Sequence, residues 1–109
     1  MPLETTDSQV DHRTEAEVRL RAAMAGLPLT LREDPQDAWR RRFVVVASET
    51  RRMAISESLA LLFAGDGPPP TMHDALAAFA RGDNEVKYID RHGHENTLVL
   101  WTPEMESWL

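Results

Sequence analysis

Residues 65–70 read Gly-Asp-Gly-Pro-Pro-Pro, and this run constrains the fold more than any other feature of the chain. Three successive prolines have fixed φ and no amide hydrogens, so neither a helix interior nor a central strand passes through them. The elements on either side are separate and must meet in space. The same prolines remove the amide donors that a phosphate-cradling loop at Gly65–Gly67 would need.

Before the break, residues 1–11 lack periodicity and read as a loose tail, leaving 12–109 as a single domain. Thr14-Glu15-Ala16-Glu17 matches a capping box, and Ala16, Leu20, Ala23, Met24 and Leu27 then fall on one helical face, predicting a helix over about 14–25 closed by Gly26. Leu27, Leu29 and Leu31 alternate as a short strand. Glu33–Asp37 reads as a break, and Trp39 opens a β region. Phe43–Val46 is β-rich and pairs with Arg52–Ile55 across a turn near Ser48–Arg51. Setting Ala47 opposite Arg52 puts Val44, Val46, Met53 and Ile55 on one face and Arg42 opposite Glu57. A single helix over 48–64 competes with this hairpin, which itself allows a helical turn or two over 58–64.

After the break, Thr71-Met72-His73-Asp74 starts a helix whose apolar face is Met72, Ala75, Leu76, Phe79 and Ala80, closed by Gly82. A second hairpin sets Val86 and Tyr88 against Leu100 and Leu98 around a three-residue loop, His92-Gly93-His94, with Arg91 opposite Glu95. Thr102-Pro103 reads as the N-cap and first position of a short terminal helix carrying Met105, Trp108 and Leu109. The expected class is α+β: one small antiparallel sheet of two hairpins plus a short strand, with the two main helices on one face.

Composition narrows the function classes. Of 109 residues, 42% are hydrophobic and 28% charged, an ordinary globular balance, and there is no cysteine. Disulfide scaffolds, thiolate metal sites and a cysteine nucleophile are excluded. No apolar run spans a membrane and the N-terminus is unlike a secretory signal, so a cytoplasmic location with no membrane partner is expected. The net charge of −6 disfavours broad binding to nucleic acid. Against that acidity, Arg40, Arg41, Arg42, Arg51 and Arg52 crowd the ends of the first hairpin, as grips for acidic side chains or phosphates or as solvated ends guarding a sheet edge.

Candidate chemistry is sparse. His92, His94 and Glu95 are ligand types, but a polar hairpin tip explains them, and no HExxH spacing is present. His73-Asp74 is explained by helix capping, and Ser48, Ser56 and Ser58 lack a nucleophile elbow. No catalytic residue, metal or cofactor is assigned. A winged-helix reading, with helices over 48–64 and 71–81 and the last hairpin as wing, makes DNA the alternative partner, although the second helix holds one arginine and several alanines. Trp101, Met105 and Trp108 form a contact patch or, alternatively, complete a small core.

Leu29-Thr30-Leu31, Asp34-Pro35, Trp39, Phe43–Val46, Gly65, Pro69-Pro70-Thr71 and Asp74–Ala80 follow one another in an order that resembles small uncharacterised proteins of phages and prophages. The resemblance covers Gly26 to Ala80, with a more apolar segment at Ser58–Ala64 than the pattern has. It implies a context, small accessory proteins of mobile elements that bind host proteins, and no reaction. The expected function is therefore a non-enzymatic accessory or inhibitor that binds a host or cognate protein through Arg40, Arg41, Arg42, Arg51, Arg52, Trp101, Met105 and Trp108. Homodimerisation through a strand edge is a further option.

Overall fold

A computed structural model describes residues 2–62 and 70–109. The elements run α1 (Pro2–Met24), β1 (Thr30–Leu31), α2 (Pro35–Trp39), β2 (Arg42–Ser48), β3 (Arg51–Ser56), α3 (Glu57–Leu62), α4 (Met72–Arg81), β4 (Glu85–Ile89), β5 (Glu95–Val99) and a terminal 3-10 helix (Pro103–Trp108). The class is α+β as expected, with a correction to its sheet. The strands form two antiparallel sheets, β1-β2-β3 and β4-β5, not one. The Gly65–Pro69 part of the break and the end of the 58–64 turn lie outside the described residues.

Both main helices lie on one face of the three-stranded sheet. Ala16, Leu20 and Met24 of α1 meet Phe43, Val45 and Ile55 of the sheet and Leu76 and Phe79 of α4 in one apolar cluster. α4 forms as its sequence dictates. Thr71 Oγ1 accepts from the Asp74 amide, the Asp74 carboxylate accepts from the Thr71 amide, and Gly82 takes φ 99° beyond the last turn. The opposite face of the sheet carries Arg42, Val44, Ala54 and Arg52. There α2 and the terminal helix lie, tied down by Arg42 to Asp37 and by Arg52 to Glu106.

Four local expectations are corrected. The first helix starts at Pro2, so Thr14 lies inside it, Glu17 pairs with Arg21 in place of capping, and the stretch read as a tail is helical backbone. Residues 35–39, read as a break and the start of a strand, form α2, because Asp34 accepts from the Gln36 amide as N-cap and Pro35 takes the first position. The first hairpin is one residue out of the expected register: Val46 faces Arg52, and an irregularity at Ala47 absorbs the extra residue before Ser48 meets Arg51. Phe43 and Val45 thus share the core face with Met53 and Ile55, and Arg42 faces Ser56. The second hairpin is shifted by two, Val86 facing Leu98 and Ile89 facing Glu95, which preserves its faces and lengthens its loop. Asp90 organises that loop by accepting from the amides of His92 and His94 and from Asn96, with Gly93 at φ 81°. The helix over 48–64 that a winged-helix arrangement needs is replaced by a strand through Arg51–Ser56.

Candidate docking surface

The eight predicted contact residues divide sharply. Arg42 is held inside the molecule: its Nε donates to Asp37 Oδ1 at 3.1 Å and its Nη1 to the Trp108 carbonyl at 3.3 Å. Asp37, 2% exposed, also receives a two-pronged grip from Arg32 at 3.0 and 2.7 Å. Burial works to raise the Asp37 carboxyl, but the hydrogen bonds from Arg32 and Arg42 outweigh it and hold it below its ordinary range. The hydrogen bond to Asp37 raises Arg32 in return.

Arg52, half-buried, is likewise committed within the fold. Glu106 accepts from the Arg52 amide at 2.7 Å, from its Nε and Nη2 at 2.9 and 2.7 Å, and from Trp101 Nε1 at 3.3 Å. Burial pushes the Glu106 carboxyl up, and these donors bring it below its ordinary range. Trp101, partly buried, thereby braces the terminal helix against β3. Arg51 is a second brace. Its guanidinium lies 4.7 Å over the Phe79 ring and 5.0 Å over Trp101 and donates to Asn84 Oδ1 at 2.7 Å and to the carbonyls of Phe79 and Asp83. Replacing Arg51 with alanine should destabilise the fold by about 2–3 kcal/mol, measured by urea unfolding, because several acceptors and two ring faces lose their partner together.

Met105 and Trp108 have a different setting. With Met53, Ile55, Met72 and Leu76 they line an apolar groove of ≈ 210 Å³ that Ala54, Leu59 and the β5 end at Leu98–Leu100 complete. Trp108 is 63% exposed at its rim. Met53 and Ile55 face the core side of the sheet and Ala54 the other, so the groove follows the outer edge of β3. On that side β3 has no strand neighbour among the described residues. The Arg52 amide points outward to Glu106, and in an antiparallel ladder the same direction recurs two residues on, at Ala54. Glu106 stands where the carbonyl of an added strand would begin, and the apolar groove continues from it.

Arg40 and Arg41 remain exposed, beside Trp39 at 86% exposure. Sequence reasoning missed Trp39, Asp37 and Glu106. The Asp34-Pro35 pair was a readable start signal for α2, which would have placed Trp39 at the end of a helical turn in place of a strand. Two of the remaining candidates have structural partners. His73 Nδ1 lies 2.8 Å from the Ala23 carbonyl, joining α4 to α1, and Ser56 Oγ accepts from the Leu59 amide. The rings of His92 and His94 are exposed at the hairpin tip, with centroids 6.4 Å apart. Among the described residues no three His, Asp or Glu side chains converge as a metal site, and no helix is long and apolar enough to cross a membrane. Comparison with family models, curated proteins and solved structures finds no match.

Proposed function

We propose that this chain is a non-enzymatic protein-binding module that takes an extended apolar segment of a partner protein along the outer edge of β3. One observation carries this reading: an unpaired strand edge opens directly into an apolar groove whose lining comes from both faces of that strand. Added strands bind by main-chain hydrogen bonds for affinity and by alternate side chains for specificity. The two walls suit that alternation, Met72 receiving one set of side chains and Met105 and Trp108 the other. The likeness of residues 26–80 to small phage and prophage proteins supports a role as accessory or inhibitor acting on a host protein.

Selection from a random peptide library displayed on an unrelated carrier tests the reading. The selected peptides should alternate apolar residues and contain no proline at their centre. Ala54→Pro removes an outward amide at an edge position that tolerates proline. It should weaken the best peptide by about tenfold or more while leaving most of the fold stability in place. Peptides without alternation, or full binding by Ala54→Pro, would contradict the proposal. So would a free chain that is already a stable dimer joined through β3, since the edge would then serve a second copy.

A further inference from the structure

A second surface, at the C-terminal end of α2, supports an inference independent of the one above. We infer that the corner formed by Trp39, Arg40 and Arg41 binds an acidic segment of a protein partner. All three side chains are exposed, and Trp39 with Pro35, Gln36 and Arg40 lines an open depression at the end of α2. The arginines around this corner are committed: Arg32 and Arg42 to Asp37, and Arg52 to Glu106. Arg40 and Arg41 have no carboxylate or hydrogen-bond acceptor at their side chains among the described residues. In a chain of net charge −6 this leaves a local cationic pair beside an exposed indole. Trp and Arg are the side chains most often found at the energetic centre of protein interfaces.

The backbone adds an independent observation. Arg41 has φ 52°, held by its amide on the Ala38 carbonyl at 3.1 Å and by the Glu57 amide on its own carbonyl at 3.0 Å. This position directly follows α2, where glycine adopts the left-handed conformation without strain and arginine does not. The strained side chain is the one that points a guanidinium into solvent, as expected of a residue kept for what it contacts. Carboxylates match the fork of each guanidinium, and an apolar side chain beside them matches the indole. Two arginines against the overall acidity make a polyanionic nucleic acid the poorer fit.

The test uses the full chain, labelled with nitrogen-15, and three probes: an Asp/Glu-rich peptide with a central Leu-Phe pair, its Asn/Gln counterpart, and a single-stranded DNA oligonucleotide. The acidic peptide should shift the amide signals of residues 38–41 and the Trp39 indole signal, in a salt-sensitive manner, and the Asn/Gln peptide should not. Arg41→Gly should raise Tm by about 4 °C through relief of the left-handed strain and weaken the acidic peptide by about tenfold. Arg40→Ala should weaken it similarly with Tm unchanged. Equal shifts from acidic and neutral peptides overturn the inference, as do tighter binding of the oligonucleotide, unaltered binding by both arginine variants, or no shift at 38–41 up to millimolar peptide. Failure here leaves the groove untouched, because its signals are those of Met53–Ile55, Met105 and Trp108.

Discussion

Asp37→Ala should destabilise the protein by about 3–5 kcal/mol, a large share of the roughly 5–15 kcal/mol typical of a domain. The carboxylate is almost fully buried and joins two arginines from different elements, Arg32 after β1 and Arg42 at the start of β2. Removing it leaves two half-buried cations facing each other with no anion between them. Urea unfolding near neutral pH measures the loss. Asp37→Asn should fall between the two proteins, since its amide oxygen still accepts from one guanidinium.

The same carboxylate sets part of the acid response. Its folded-state value lies below the ordinary 3.8 of an aspartate, so its contribution is fully present above that value and is lost as pH falls through the lower one. Glu106 behaves alike below its ordinary 4.5. Stability should therefore decline as pH drops under about 4.5, and more steeply under about 3.8. In Asp37→Asn the lower part of that decline should flatten.

Phe79→Ala is the second large effect, also about 3–5 kcal/mol. Phe79 is fully buried on the inner face of α4, at the junction of both helices and the sheet. Its loss opens a cavity and takes away the ring under Arg51. The urea midpoint should fall with the slope unchanged, and Phe79→Leu, which refills most of the space, should recover most of the difference. A loss under about 1 kcal/mol would mean that the core collapses onto the gap, against the close packing described above.

These side chains show where sequence reasoning reaches and where it stops. α4 was legible to the residue because its signals are local: a capping box at Thr71–Asp74, a helical apolar period and Gly82 after the last turn. The strand pairing of the first hairpin was legible but its register was not. Phe43, Val44 and Val45 are all buried, so the segment lacks the alternation that would reveal its inner face. In the second hairpin the alternation was clear and the faces were right. The loop length depended on Asp90 gathering two amides, which composition does not reveal.

The arginine cluster was visible as charge, but its partners were not. Arg52 meets Glu106 across 54 positions of sequence and Arg13 meets Glu57 across 44. Only the fold brings such pairs together, and it separates the arginines that hold the structure from Arg40 and Arg41, which face outward. Met105 and Trp108 read correctly as apolar and near the end. That they wall a groove beside a free strand edge is a tertiary fact.

Amide hydrogen exchange with and without a selected peptide probes the groove at single-residue detail. An incoming strand should slow exchange at Ala54, whose N–H faces outward, and leave Met53 and Ile55, already bonded to β2, nearly as they were. Unchanged exchange at Ala54 in the saturated complex, or equal slowing along the whole of β3, would mean that no strand is added there.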